Sequence, residues 1–180
     1  MLKSLLLLLI KPLSFIPALL MMYAIFTFSS QTGDQSGNLS YEVSYQIVST
    51  ADHIMERGLT EADKEYYASS IEYYVRKLAH MTEYFILAVC VSLPFYVYGL
   101  RGFPLLLVAG FICVGFACGD EYHQSFVDGR GPSVRDVCID SVGVFTGIIV
   151  VRIICYTLLA PARMWARHQR RAARRRHRRR

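Results

Sequence analysis

Acidic residues are missing from the end of this 180-residue chain, since none of its 14 aspartates and glutamates lies beyond Asp140. The stretch from 163 to 180 instead holds ten of the twenty lysines and arginines. Without those ten arginines, ten basic residues stand against 14 acidic ones, so residues 1–162 carry a net charge of −4. The formal net charge of +6 therefore belongs to a C-terminal tail, and the body of the chain is not a basic domain.

Charged residues are also scarce, at 19% of the chain against 53% hydrophobic and 13% aromatic residues, and the mean hydropathy is +0.30. This composition excludes a disordered chain and is unusual for a soluble basic protein. It predicts a membrane protein with an Arg-rich cytoplasmic tail at 161–180, which we expect to be disordered and to contact anionic lipids. We expect no nucleic-acid partner, because Trp165 lies at the predicted headgroup level and no folded module accompanies the arginines.

The cysteine count is odd, which argues against a disulfide framework. The five cysteines lie within or beside apolar stretches, at positions 90, 113, 118, 138 and 155, and no pair has the spacing of a zinc site. We predict small buried apolar residues and no disulfide-linked partner.

Four apolar segments are long enough to cross a bilayer, which takes roughly 20 helical residues. They predict an all-α, polytopic bundle of four transmembrane helices with an extracytoplasmic helical loop, because backbone groups in lipid must be hydrogen-bonded within their own segment. The spans are 5–28, 78–98, 103–119 and 137–160, and with external loops 29–75 and 120–136 they form one domain over 1–160. Either all of the first run crosses, or 13–28 crosses with Lys11 at the surface; we expect an uncleaved helix, not a signal peptide.

Lysines and arginines predict the orientation, because they accumulate on the cytoplasmic side. The arginines after the fourth span place the C-terminus inside, and four spans then place the N-terminus and Arg101 inside as well. The external segment 29–75 holds eight acids but only Arg57 and Lys64 as bases, which agrees with this assignment. Within it, Thr60 followed by Asp63 resembles a helix N-cap, so we expect helix between that point and the second span.

Ionisable residues gather at the predicted outer ends of three spans, although a charge at the bilayer centre costs about 2.5–3.5 kcal/mol. Arg76, His80 and Glu83 share one helix face, because their spacing is i, i+4, i+7. The residues are Arg76, Lys77, His80 and Glu83 at the outer end of the second helix, Asp120, Glu121, His123 and Gln124 at the outer end of the third, and Asp136 and Asp140 at the start of the fourth. Since all three groups lie on one side of the membrane, we predict one functional site at the outer leaflet.

The loop between the third and fourth spans is predicted to close over this site. Gly129 and Gly131 allow a tight turn, and Arg130 and Arg135 can pair with an acid of the fourth span or with an anionic ligand. We take as candidate catalytic residues His80, Glu83, Asp120, Glu121, His123 and Asp140. The candidate ligand-binding residues are Arg76, Lys77, Gln124, Arg130, Arg135 and Asp136.

A purely structural role is the alternative for these residues. Ion pairs such as Arg76 with Glu83, or Arg135 with Asp140, would hold helices together. Packing alone seldom needs two histidines and several acids at one depth, so we favour a functional site. Gly143 and Gly147 are spaced for close approach to a neighbouring helix.

Metal binding and acid–base chemistry both stay open. His80, Glu83, His123, Asp120 and Asp140 offer donors for zinc, iron or manganese, but no pair has the HExxH spacing. His80 and His123 with carboxylate partners could equally act as general acid and base. The sequence has no G-x-S-x-G elbow and no Gly-rich phosphate loop, so it identifies neither a serine nucleophile nor a cofactor.

Four strings in a fixed order carry a family resemblance over residues 27–147. They are FSSQ at 28–31, RKLAHMTEY at 76–84, DEYHQSFV at 120–127, and GRGPSVRD at 129–136 followed by IDSVG at 139–143. Together they resemble the VanZ-like family of bacterial membrane proteins. Asp128 stands where the family usually has proline, and Met81 where it usually has phenylalanine.

The resemblance implies a small multi-helix protein of the bacterial plasma membrane, in a family whose namesake is associated with low-level teicoplanin resistance. Teicoplanin is a lipoglycopeptide, and its target is a lipid-linked cell-wall precursor exposed on the outer surface. Two functions follow as hypotheses. In the first, the protein recognises or modulates a lipid-linked or lipoglycopeptide ligand of the cell envelope; in the second, it is a membrane-embedded acid–base or metal-assisted enzyme acting on an amphipathic envelope substrate.

Overall fold

The computed structural model describes the backbone of residues 11–177 and the side chains of residues 11–158. Within this range the secondary structure is entirely helical, which confirms the all-α prediction. The helices are α1 (Ile16–Ser29), α2 (Gly33–Met55), α3 (Glu61–Val97), α4 (Phe103–Gln124) and α5 (Val134–His177).

Four helical segments are long and apolar enough to cross a membrane, as the hydrophobic pattern predicts. They are Lys11–Ser29, Glu61–Val97, Phe103–Gln124 and Val134–Leu158. The structure extends two predicted boundaries, because α4 continues through Asp120 to Gln124 and α5 begins three residues before 137. The acids at these ends therefore lie on helices, which gives their side chains defined directions.

Two parts of the predicted organisation fall at the edge of the described range. The first apolar run begins at Leu5, but residues 1–10 lie outside it, so the described crossing starts at Lys11. Helix α5 continues to His177, past the predicted domain boundary at residue 160. Side chains beyond Leu158 lie outside the described residues, and the disorder of the tail stays a prediction.

Capping boxes start both helices of the long segment between the first two crossings. The Thr60 hydroxyl accepts from the Asp63 amide at 3.2 Å while the Asp63 carboxylate accepts from the Thr60 amide, which confirms the predicted cap. Thr32 and Gln35 form the same arrangement at the start of α2. Each box satisfies two amide groups that have no partner inside the helix, so both starting points are defined locally.

The crossing helices run antiparallel between two ends of the bundle. We call the end at Ser29, Gln124 and Val134 the loop end, and the end at Val97 and Phe103 the turn end. Helix α2 folds back along the first turns of α3 beyond the loop end, where Lys64 lies 3.7 Å from Asp52. The α2–α3 hairpin thus stands directly over the loop end of the bundle.

Close packing of α3 against α5 builds the centre of the bundle. A methyl group on Gly143 would lie 2.1 Å from the Met81 carbonyl oxygen, and one on Gly147 would lie 2.6 Å from that of Phe85. The two glycines are one turn apart, so they form a smooth strip on which α3 lies, as the sequence predicts. Buried Leu87, Val144 and other apolar residues fill the remaining core.

The cysteines need one correction. All five are free thiols, and Cys113 and Cys155 are buried as predicted, but Cys118 and Cys138 are exposed on the helix surface. A helix that faces lipid presents apolar side chains outward as well as inward, so an apolar cysteine in such a helix has no need of burial in protein.

Candidate functional site

A polar cavity of about 140 Å³ lies at the loop end, between α2, α3, α4, α5 and the loop that precedes α5. Eight of the twelve candidate residues line it. They are Arg76, Lys77, His80, Glu121, Gln124, Arg130, Asp136 and Asp140. The structure therefore brings the polar ends of the three helices together around one cavity. The sequence pattern predicted that these ends lie together.

A second cavity of about 160 Å³ adjoins the first and shares Arg76, His80 and Arg130 with it. Its other walls include Phe28, Leu39 and Ala79, together with Glu83. We call it the adjoining cavity. The two arginines and the histidine thus lie between two compartments. The second adds an apolar patch at Phe28, Leu39 and Ala79, although Gln31, Ser36 and Ser40 also line it.

Arg130 hydrogen-bonds only to neutral acceptors, although the carboxylates of Asp120, Glu121 and Glu83 lie near enough to favour its charge. Its Nη1 donates to the Gln124 side-chain oxygen at 3.1 Å and its Nη2 to the Phe28 carbonyl at 3.3 Å, so both acceptors are neutral. Burial, together with the neighbouring Arg76 guanidinium, lowers the pKa of Arg130 from its ordinary value. The Nε atoms of Arg76 and Arg130 are both buried and have no hydrogen bond in the described part of the chain.

Ion pairs at the site differ from those that sequence spacing suggested. Arg76 pairs with Glu72 one turn earlier on α3, not with Glu83, and Lys77 of α3 pairs with Asp136 of α5. Glu83 instead lies 3.5 Å from His80 Nδ1. The Lys77 pair joins α3 to α5, whereas the Arg76 pair stays within one helix and leaves the rest of the guanidinium facing the cavities.

Asp120 belongs to a buried network behind the polar cavity. Its carboxylate, 4% exposed, accepts from the Ser29 hydroxyl at 2.7 Å and from the Gln124 amide at 3.0 Å. Since Gln124 also accepts from Arg130, the network connects α1 and α4 to the arginine. Asp120 lines neither cavity, but it accepts from Gln124, which lines the polar cavity.

Two close contacts hold the loop against the helices. The Glu121 carboxylate accepts from the Ser133 amide at 2.7 Å, immediately before α5 begins. On the other side, the Gly33 amide donates to the Asp128 carbonyl at 2.9 Å, and a methyl group on Gly33 would lie 2.3 Å from the Gly129 oxygen. Gly129 has a φ of +73°, which favours glycine. The loop is therefore fixed at both ends.

The remaining candidates lie away from both cavities. His123 packs on the Phe26 ring of α1, with 4.3 Å between ring centres, and so is not paired with His80 across the site. Arg135 is exposed and lines neither cavity. Helix geometry explains both cases, because Gln124 and Asp136 occupy the cavity-facing positions next to them in the chain.

The metal hypothesis requires three or more donors at one point. Over the residues that the structure describes, no group of three or more histidine, cysteine or carboxylate side chains is arranged to hold a metal ion. The carboxylates of Glu121 and Asp136 are already engaged by Ser133 and Lys77. Of the donor set identified from the sequence, His80 and Asp140 line the polar cavity and Glu83 lies 3.5 Å from His80, whereas Asp120 and His123 line neither cavity.

Three contributors to the site were not singled out from the sequence. The i, i+4 spacing of helical ion pairs could have identified Glu72, since it lies one turn before Arg76. Ser29 lies in the FSSQ string that carries the family resemblance, but its contact with Asp120, like that of Gly33 with Gly129, joins positions about 90 or more apart and has no signal in local spacing.

Comparison with known proteins agrees with this architecture. The family described as VanZ/LLP1 matches residues 14–156, which include all five helices in whole or in part and every residue of the two cavities. No curated protein and no solved structure matches the chain. The chain belongs to the VanZ/LLP1 family.

Proposed function

We propose that this member of the VanZ/LLP1 family binds an anionic, amphipathic ligand of the cell envelope at the loop end. The ligand's charged group would occupy the polar cavity, with Arg76 and Arg130 on one wall. Suitable ligands are a lipid-linked cell-wall precursor or a lipoglycopeptide, and we propose that binding alters susceptibility to teicoplanin.

Arg130 carries the proposal. Arg130 is a half-buried guanidinium that hydrogen-bonds only to neutral acceptors, and it lies next to a second guanidinium whose Nε has no hydrogen bond, so both can donate to a bound anion. The cavity is smaller than the roughly 300–1,000 Å³ typical of sites for whole small molecules. A compact group such as a phosphate or carboxylate suits it better than a sugar chain.

The adjoining cavity supports an amphipathic ligand. Phe28 and Leu39 line it together with the two arginines, and the Phe28 side chain at the end of α1 is 45% exposed. An apolar chain could then leave through this cavity while its charged group stays with Arg76 and Arg130. We further propose that the loop end faces outward, because the basic residues of the chain are concentrated beyond the turn end.

A binding measurement with farnesyl pyrophosphate tests this function. The probe combines a compact anion with an apolar chain, and the full-length protein would be held in nanodiscs of phosphatidylcholine. We expect wild-type protein to bind it, and Arg130→Gln to weaken binding about 10–100-fold, since a hydrogen bond to a charged group contributes about 1.5–3 kcal/mol. Isothermal titration at constant salt concentration measures the affinities.

Arg135→Gln is the matched control, because it removes the same charge from the first turn of α5, next to the loop but outside both cavities. We expect it to change the affinity less than about twofold, as for an exposed charge. Farnesol lacks the anion and pyrophosphate lacks the chain, so both should bind much more weakly than the probe. Equal losses in the two variants, or farnesol binding as tightly as its pyrophosphate, would refute the proposal.

The position of His80 favours a second candidate function, that of a membrane-embedded enzyme. It lies 3.5 Å from Glu83 and lines the polar cavity together with Asp140, so an acid–base pair is within reach of a bound group. Incubation of the protein with farnesyl pyrophosphate distinguishes the two functions. If the wild type releases inorganic phosphate from farnesyl pyrophosphate and His80→Ala does not, the enzyme is favoured. If the farnesyl pyrophosphate stays intact, binding alone is favoured.

A further inference from the structure

A groove of about 480 Å³ lies at the turn end, opposite the site described above. It opens between the last turns of α3, the start of α4, and α5. Its main walls are Tyr96, Arg101, Ile149, Arg152, Ile153 and Tyr156. The candidate site residues identified from the sequence all lie at the loop end, so they do not account for this groove.

The groove contains positive charge without any acidic counterpart. No aspartate or glutamate occurs between Glu83 and Asp120 or after Asp140, so the turn half of the bundle has none. Arg152 lies inside the fourth crossing, about 18 Å along α5 from Asp140 by the rise of a helix, and forms no ion pair with a described residue. A charge at that depth needs a partner or a path to the headgroups.

The groove is also amphipathic. Ile149 and Ile153 are one helical turn apart and are 46% and 57% exposed, so they form an apolar track along α5. The Arg101 guanidinium lies over the Tyr96 ring, 5.2 Å from its centre, which limits its freedom before anything binds. Two cations beside an apolar track match a phosphate group attached to an acyl chain.

We propose that this groove is a binding site for one anionic phospholipid of the surrounding bilayer. The phosphate lies between Arg101 and Arg152, and an acyl chain follows Ile149 and Ile153. The lipid supplies the negative charge that the turn half of the protein lacks, and it closes the gap between α3 and α5. This site is independent of the proposed function at the loop end.

Native mass spectrometry of the full-length protein tests the site, with phosphatidylglycerol and phosphatidylcholine of identical acyl chains as probes. We expect wild-type protein to retain phosphatidylglycerol in preference, and Arg152→Gln to lower its affinity about fivefold or more, as for one arginine near an anionic lipid. Lys11→Gln is the matched control, because it removes one charge at the same end but outside the groove, and we expect a loss of less than about twofold. The arginine tail is common to all variants, so it cancels in the comparison.

Ile153→Trp provides a second test that leaves both arginines in place. The larger side chain fills the acyl-chain track, so phosphatidylglycerol binding should fall below that of the wild type. This variant also tests the site if Arg152→Gln fails to fold, which a loss of its helical circular dichroism signal would show. The proposal is overturned if phosphatidylglycerol binds no better than phosphatidylcholine, if Lys11→Gln and Arg152→Gln lose affinity equally, or if Ile153→Trp binds as the wild type does.

Discussion

At the level of single residues, Asp120 illustrates how a buried carboxylate can organise a binding site without lining it. It accepts from Ser29 and Gln124, both neutral, and Gln124 in turn accepts from Arg130. The arginine therefore receives its orientation from α1 and α4, although it belongs to a loop. Loss of one donor would leave a buried oxygen less satisfied, which costs more than an ordinary hydrogen bond contributes.

Ser29→Ala tests this network, because it removes the hydroxyl donor from a fully buried position. We expect about 1–3 kcal/mol of lost stability, seen as a lower thermal midpoint in detergent by circular dichroism, and weaker binding of farnesyl pyrophosphate through misplaced Arg130. Ser30→Ala is the neighbouring control, since the Ser30 hydroxyl bonds only to the Phe26 carbonyl of its own helix. Equal midpoints for the two variants would count against the network.

At the level of helices, the contact between α3 and α5 determines where the site residues of both helices lie. Gly143 and Gly147 bring α5 against the carbonyls of Met81 and Phe85, which follow His80 by one residue and Glu83 by two. Asp140 precedes Gly143 by one turn on the same face. The distance between His80 and the α5 carboxylates therefore depends on two glycines that contact no ligand.

Gly143→Ala should separate these helices, because its methyl group would lie 2.1 Å from a backbone oxygen that cannot rotate away. We expect a loss of about 1–3 kcal/mol, as for overpacking in a core. Gly115→Ala is the control, since a methyl group at that helical position meets nothing within 4 Å. Thermal midpoints in detergent compare the two, and a Gly143→Ala protein as stable as Gly115→Ala would contradict the close contact.

At the level of the whole molecule, opposite charges occupy opposite ends of the bundle. The acids belong to the α2–α3 hairpin and the loop end, whereas Lys11, Arg101 and Arg152 lie toward the turn end, followed by the Arg-rich tail. A membrane protein with this asymmetry is expected to insert with its basic end in the cytoplasm. The two proposed binding sites would then serve opposite leaflets.

Cysteine labelling tests this orientation in a variant whose five native cysteines are replaced by alanine. Gly131→Cys introduces an exposed thiol at the loop end, where a side chain meets nothing within 4 Å. We expect a membrane-impermeant maleimide to label it in intact cells, whereas a cysteine appended after Arg180 should react only after permeabilisation. The reverse pattern would invert the proposed orientation and move the loop-end site to the cytoplasmic leaflet.

The sequence by itself determined the helices and the group of residues from which the site is built. Apolar length specifies the crossings because a bilayer demands it, Thr60 and Asp63 specify a helix start through local hydrogen bonds, and i, i+4 spacing places Arg76 and His80 on one face. Each of these depends on interactions within a few residues, so each can be derived without knowing the neighbours.

Only the tertiary structure decided which of these residues share a cavity. Helical spacing relates residues around their own axis but does not specify how that axis is rotated against its neighbours. This rotation comes from contacts distant in sequence, such as Gly143 with Met81 and Gly33 with Gly129. For that reason Lys77 pairs with Asp136, His123 faces Phe26, and Arg130, not Arg135, reaches the polar cavity.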